Sequence, residues 1–224
     1  MKALLYKEFK LAMHPLCYLL ILVFPLMMLI PSYPLAISFI YVLVAYPLLF
    51  LGANKGQQSN DLLFSVLLPV RKKDIVMARV ITVLLMQAMT IAMSLIIYPI
   101  ALYSSYTASQ AAEEIVVPGL GFNSYVLLLA FVIIGFAVAD LIFFPLYYRN
   151  GKSIVLGTLL ATLVFVAIIA VTTIILPYIP GLEGINNLNL GIQFGALAGA
   201  LIIYFLLHWA VYKASSNLLE KVNF

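Results

Sequence analysis

Three ionisable side chains lie inside otherwise apolar segments, and they are the residues of this chain best suited to chemistry. Asp140 is the acidic residue within one such segment, and Arg79 and His208 lie at a comparable depth in two others. A charged group in apolar surroundings is costly and normally faces a partner or water. The pattern predicts a polar layer in which Asp140 pairs with Arg79 or His208. A structural ion pair and a substrate-binding role both stay open for Asp140.

The sequence lacks the residue patterns of common catalytic sites. It has no HExxH and no GxSxG motif, and its only histidines are His14 and His208. Cys17 is the single cysteine, which excludes an intrachain disulfide and a cysteine metal site. The tripeptide Gly-Lys-Ser at 151–153 resembles the end of a phosphate-binding loop, but Leu146 stands where that motif needs a glycine. We therefore expect no enzyme activity, no catalytic residue, no metal and no cofactor bound by this chain.

The composition indicates a membrane protein. Hydrophobic residues make up 65% of the chain and charged residues only 9%, whereas soluble domains carry about 25% charged residues. A soluble fold of this composition would expose large apolar patches that drive aggregation, and a lipid bilayer removes that conflict. The net charge of +4 is small, and the basic residues form no stripe that would suit nucleic acid.

Six apolar runs are long enough, or nearly so, to cross a hydrocarbon core of about 30 Å. They cover residues 16–30, 35–51, 75–103, 124–146, 153–176 and 190–212. The sequence therefore predicts a single all-α domain over 1–224 with six transmembrane helices. Pro99 is expected to kink or end the third span. Residues 1–14 set apolar side chains opposite lysines, which predicts a helix lying in the membrane interface.

The twelve lysines and arginines indicate the orientation. They all lie in or beside the N-terminal segment, the loops after spans two and four, and the C-terminal tail. The opposite loops carry only Glu113, Glu114 and Glu183 as charged residues. Because cytoplasmic loops are enriched in lysine and arginine, both termini are expected in the cytoplasm. Aromatic residues that suit the inner headgroup region are Tyr147, Tyr148, Trp209 and Tyr212.

The loop at 54–74 is the most informative stretch. Ser59, Asn60 or Asp61 can cap a short apolar helix, which Pro69 would end. A basic run at 71–73 holds the joint at the membrane surface, and Asp74 can cap the next helix. Such a short helix, joined to a membrane-crossing one, can dock into a groove of a cytosolic partner. The alternative is a surface loop that packs on the lipid.

This loop resembles that of permease subunits of the type-2 ABC exporter superfamily. It carries Asp61, then Leu-Leu-Pro-Val-Arg-Lys-Lys-Asp-Ile-Val at 67–76, then Ala-Arg at 78–79. The layout of a basic N-terminal helix, six spans and two cytoplasmic ends is similar to that of the compact bacterial members. The resemblance covers essentially the whole chain and implies a multi-pass protein of the bacterial plasma membrane.

The resemblance implies that the work is divided between chains. A second permease subunit, identical or a sister chain, would complete the pathway, and a cytosolic ATPase dimer would bind ATP and Mg. The cargo would be amphipathic or hydrophobic, with peptides among the family's substrates. The residues implied to couple this chain to the ATPase are Asn60, Asp61, Leu63, Phe64, Arg71, Lys72, Asp74, Glu8 and Phe9.

Two further alternatives stay open at the sequence level. Gly191, Gly195 and Gly199 repeat every four residues, so this face suits close helix packing within one subunit or at a dimer seam. A stand-alone secondary transporter or channel is the alternative function, and it would need ionisable groups or broken helices near mid-membrane. The middle of the spans is almost purely apolar, which argues against small-ion traffic.

Overall fold

A computed structural model describes residues 2–12, 15–26, 29, 69–112, 125–150, 154–171 and 190–221. These residues are helical apart from short connections, and no strand occurs among them. In chain order the helices are α1 (Lys2–Lys7), a π-helical segment (Glu8–Ala12), α2 (Pro15–Leu26), α3 (Lys72–Ala112), α4 (Tyr125–Asn150), α5 (Ile154–Ala170) and α6 (Leu190–Lys221).

Three of these helices are long and apolar enough to cross a membrane. They are the Lys72–Ala101 part of α3, the Val126–Arg149 part of α4 and the Gly191–Lys221 part of α6. Helix α5 is a shorter apolar helix. The all-α prediction is therefore confirmed for the described residues, with three candidate spans where six were predicted. The predicted second span at 35–51 and the predicted helix at 60–68 lie outside those residues.

The N-terminal segment is helical and folds back onto α3. Helix α1 and the π-helical segment contact α3, as does α2, which follows them. The Tyr18 hydroxyl donates a hydrogen bond of 2.6 Å to the Phe9 carbonyl and so ties α2 to the π-helical segment. Lys10 lies over the exposed ring of Tyr6, at 5.1 Å from the ring centroid. Residues predicted to form one interfacial helix thus form two short helical pieces packed on α3.

Helix α3 runs for 41 residues and is longer than the predicted span at both ends. Its length of about 60 Å is twice the thickness of a hydrocarbon core. Pro99 lies inside it, and the helix continues to Ala112. Of the two effects predicted for this proline, an end of the helix is not seen, and a kink stays a prediction. Proline removes one backbone hydrogen bond. The helix is nevertheless continuous on both sides of Pro99.

Helix α4 lies at the centre, with its most extensive contacts to α6 and its next to α5. At the α4–α5 contact, each helix places a glycine against a phenylalanine ring of the other helix. A Cβ on Gly135 would lie 2.8 Å from the Phe165 ring, and one on Gly157 would lie 3.3 Å from the Phe143 ring. The Phe136 and Phe165 rings stack at 5.4 Å. This packing holds α4 close against α5.

One end of the bundle gathers the start of α3 and the ends of α4 and α6. Lys73 pairs with Glu220 at 3.3 Å, which joins the first turn of α3 to the last turn of α6. Lys213 lies 5.2 Å from the centroid of the exposed Trp209 ring. Tyr147 and Tyr148 are buried and pack beside Phe143 and Phe144. Their expected position at the level of the headgroups stays a prediction.

Candidate functional site

Four polar side chains from three helices meet in the apolar interior, in a group we name the central cluster. Helix α3 contributes Gln87, α4 contributes Asp140, and α6 contributes Tyr204 and His208 one turn apart. All four side chains are buried, and Asp140 has no exposed surface. Asp140 lies ten residues from the end of α4 at Asn150, or about 15 Å along the helix. The cluster therefore lies well inside α4, about ten residues from its end.

Hydrogen bonds in the central cluster converge on one oxygen of Asp140. Gln87 Nε2 donates to Asp140 Oδ2 at 2.9 Å, and His208 Nε2 lies 2.9 Å from the same oxygen. The Tyr204 hydroxyl donates to Gln87 Oε1, which orients the amide. Among the described residues, the other oxygen, Oδ1, is buried without a hydrogen-bond partner. In the described part of the chain, Oδ2 is thus the oxygen of Asp140 that takes part in hydrogen bonds.

A second polar group, which we name the latch, joins the N-terminal segment to α3 and α4. Arg79 donates to both oxygens of Glu8, with Nε–Oε2 at 3.2 Å and Nη2–Oε1 at 3.3 Å. Its third nitrogen, Nη1, donates to the Tyr147 hydroxyl at 2.9 Å. Lys7 contacts Glu8 Oε1 at 3.4 Å. Arg79 is 1% exposed and Glu8 4% exposed, so this forked ion pair is held away from water, where its geometry matters most.

The latch and the central cluster are stacked along the bundle. Gln87 follows Arg79 by eight residues on α3, and Asp140 precedes Tyr147 by seven residues on α4. At 1.5 Å per residue the two groups lie about 11 Å apart, or two helical turns. Helices α3 and α4 contribute to both groups, so displacement of either helix along its axis would strain both.

The predicted polar layer is divided between these two groups. Asp140 contacts His208, which was one of its two predicted partners. Arg79 was the other, and it pairs instead with Glu8, because its position nearer the start of α3 brings it beside the π-helical segment. Whether Asp140 also contacts a substrate stays a prediction.

The residues predicted to couple to an ATPase have different outcomes in the structure. Asn60, Asp61, Leu63 and Phe64 lie outside the described residues. Arg71 directly precedes α3, and Lys72 and Asp74 lie in its first turn, where Asp74 accepts two hydrogen bonds from Arg71, of 3.1 and 3.3 Å. The hydrogen bond and charge of Asp74 raise the pKa of Arg71 above its ordinary value.

Glu8 and Phe9 are not on an open surface. Glu8 is buried against Arg79, and Phe9 is partly buried against the hydrophobic core. Direct contact of the Glu8 carboxylate with another chain would require breaking the latch. The position of these two residues suits transmission of a movement into α3.

The glycines of α6 have open surroundings. Among the described residues, a Cβ placed on Gly191, Gly195 or Gly199 would meet no atom within 4 Å. The predicted use of this face for close packing within one subunit is therefore not seen in the described part of the chain. Its use at a seam between subunits stays a prediction.

Sequence reasoning missed Gln87, Tyr204, Tyr147 and the role of Glu8. A signal for Gln87 was present, because the polar residues of α3 share one helix face. On a helical wheel, Arg79, Thr82, Gln87, Thr90 and Ser94 fall within less than half a turn, and all five are buried. Tyr204 precedes His208 by four residues, the spacing of side chains on one face. The Glu8 contact spans 71 residues, which no local pattern indicates.

The described residues contain no group of three or more His, Cys, Asp or Glu side chains suited to a metal ion. The site offers hydrogen-bonding and ionisable groups.

No family of known proteins, no curated protein and no solved structure matches this chain.

Proposed function

We propose that this chain is the membrane-spanning permease subunit of an ATP-driven exporter, of the type that the loop at 54–79 resembles. In this proposal the chain crosses the bacterial plasma membrane six times with both ends in the cytoplasm. It works with a second permease subunit, identical or a sister chain, and with a separate ATPase that binds ATP and Mg. The cargo is amphipathic or hydrophobic, such as a peptide.

The latch is the observation that carries the proposal. An exporter permease must convert movement at its cytoplasmic surface into movement of its spans. Helix α3 begins at Lys72, directly after the loop predicted to meet the ATPase, and Arg79 ties its second turn to Glu8. Both elements expected at the cytoplasmic surface are thus joined by a buried, charge-assisted contact. A displacement of the N-terminal segment or of the loop before α3 would therefore displace α3.

The length of α3 supports the same function. A continuous helix of 41 residues transmits a displacement at one end along its whole length. The latch also reaches α4 through Tyr147, so the central helix of the bundle would follow α3. Coupled movement of α3 and α4 suits alternating access, in which parts of the membrane domain rock against each other.

Co-purification of an ATPase with this chain from its native membrane tests the proposal. We expect a stable complex whose ATP hydrolysis changes when the permease is present. The double variant Asp61→Ala and Phe64→Ala should weaken the complex at least about tenfold, because hot-spot contacts at interfaces carry most of the binding energy. The matched control is Lys213→Ala, an exposed change on α6, which should leave binding unaltered. Failure of any ATPase to co-purify, with transport intact after deletion of 60–68, contradicts the proposal.

The central cluster favours one second candidate, a stand-alone secondary transporter. Such proteins place ionisable groups near mid-membrane, and the buried Asp140–His208 pair between two described helices supports this candidate. The two candidates differ in their energy source. Purified chain in liposomes that transports cargo on an ion gradient, without an ATPase, would establish the second candidate against the first.

A further inference from the structure

A cavity of about 460 Å³ lies along one face of α5, and it is separate from the central cluster and the latch. It extends from Ile154 to Val166, and side chains that share one face of the helix form its wall. Gly157 and Phe165, which pack against α4, are not part of this wall. In the described part of the chain, α4 is the helix against which α5 packs extensively. The cavity therefore lies beside that contact, on a face of α5 turned towards the lipid.

The wall of the cavity offers almost no free hydrogen-bonding group. Its polar side chains are Thr158 and Thr162, and each hydroxyl donates to the carbonyl oxygen four residues earlier, at 2.9 and 2.8 Å. The other wall residues are aliphatic, and α5 carries no charged side chain. Because burying a polar group without a hydrogen bond is costly, the cavity suits an apolar occupant.

The cavity has about the depth of one leaflet of a bilayer. Ile154 and Val166 are twelve residues apart, or about 18 Å along the helix. Half of a hydrocarbon core of about 30 Å is about 15 Å. A transmembrane helix of a second copy would extend over the whole core and is about 10 Å wide, which exceeds the cavity. A single acyl chain from one leaflet matches its depth and its apolar wall.

Positive charge lies at one end of the cavity. The two glycine–phenylalanine contacts between α4 and α5 show that these helices run antiparallel. The end of α4 therefore lies at the level of Ile154, and Arg149 is exposed there. Lys152 is the next basic residue of the sequence. Arginine and lysine at a membrane surface attract the negatively charged headgroups of phospholipids.

We propose that α5 binds an anionic phospholipid, with one acyl chain in the cavity between Ile154 and Val166 and the phosphate beside Arg149. The aliphatic wall holds the chain, and the guanidinium selects the charge of the headgroup. The lipid comes from the leaflet at the basic end of the bundle. The inference does not depend on the exporter proposal, because both candidate functions place the chain in a bilayer.

Native mass spectrometry of the full-length chain tests the site without any partner protein. The chain is released from nanodiscs that contain equal amounts of phosphatidylglycerol and phosphatidylcholine with the same acyl chains. We expect the wild type to retain one phosphatidylglycerol at least about fivefold more often than phosphatidylcholine. Arg149→Gln should remove this preference, whereas Lys213→Gln, an exposed change on α6, should leave it unaltered.

A larger side chain in the cavity should expel the lipid. Thr162→Phe should reduce the retained phosphatidylglycerol at least about tenfold, because each CH₂ group that leaves the wall loses part of the binding free energy. Leu160→Phe is the matched control, since Leu160 is on α5 but outside the wall of the cavity. Equal retention of the two lipids by the wild type, or equal loss in the two phenylalanine variants, would overturn the proposal.

Tryptophan fluorescence locates the lipid even if Thr162→Phe does not fold. Trp209 is the only tryptophan, so Leu159→Trp in a Trp209→Phe chain places a single reporter in the wall of the cavity. In the same lipid mixture, bromine on the chains of phosphatidylglycerol should quench this reporter more than bromine on phosphatidylcholine, and Leu160→Trp should show no difference. An unquenched Leu159→Trp would mean that protein covers the cavity, and equal quenching by the two lipids would mean ordinary contact with the bilayer. Either result would contradict the lipid site.

Discussion

At the residue scale, two glycines inside apolar helices differ in their surroundings, one being closely packed and the other open. Gly135 lies against the fully buried ring of Phe165, so its missing side chain is what lets α4 and α5 approach. Gly195 has no neighbour within 4 Å of a built Cβ among the described residues. Both are glycines inside apolar helices, and sequence alone assigns them similar roles.

Gly135→Ala should destabilise the protein by about 1–3 kcal/mol, because the added methyl overpacks a core whose Phe165 ring cannot move away. Gly195→Ala is the matched control and should be neutral or slightly stabilising, since alanine is the better helix former. Thermal unfolding of both variants in the same detergent measures the difference. Equal loss of stability in the two variants would contradict the packing described for α4 and α5.

At the element scale, the short N-terminal helices are part of the bundle. They are held to α3 by the latch and to α2 by the Tyr18 hydroxyl. The sequence predicted that the N-terminal segment is a helix lying in the membrane interface. In that position Glu8 would lie in the headgroup region. The contact between Glu8 and Arg79 depends on the fold as a whole, and for this reason no local pattern in the sequence indicated it.

Glu8→Gln should release the N-terminal segment from α3. Loss of one partner of a buried ion pair costs about 3–5 kcal/mol, because the other charge stays buried without compensation. Hydrogen exchange of the amides of residues 2–12 should accelerate strongly in Glu8→Gln. Asp74→Asn, which breaks the exposed pair with Arg71, should change exchange in this segment little. Unchanged exchange in Glu8→Gln would contradict the latch.

At the scale of the whole molecule, composition and apolar run length predicted the helical class and the approximate starts of α4, α5 and α6, but not their ends. They could not predict which polar side chains meet. Asp140 and His208 stood out because each is rare in its segment, whereas Gln87 and Tyr204 are ordinary residues that only the fold brings into contact. Charge segregation predicted one basic end, in agreement with the Lys73–Glu220 contact between the first turn of α3 and the last turn of α6.

The sidedness of that basic end tests the account most directly, since coupling to an ATPase requires it to face the cytosol. In a Cys17→Ser chain, single cysteines replace Lys73, which is exposed at the start of α3, and Glu113 in the predicted outer loop. In intact cells, a thiol reagent that cannot cross the membrane should label the Glu113→Cys chain and spare Lys73→Cys until the cells are opened. Labelling of Lys73→Cys in intact cells, with Glu113→Cys protected, would contradict the account.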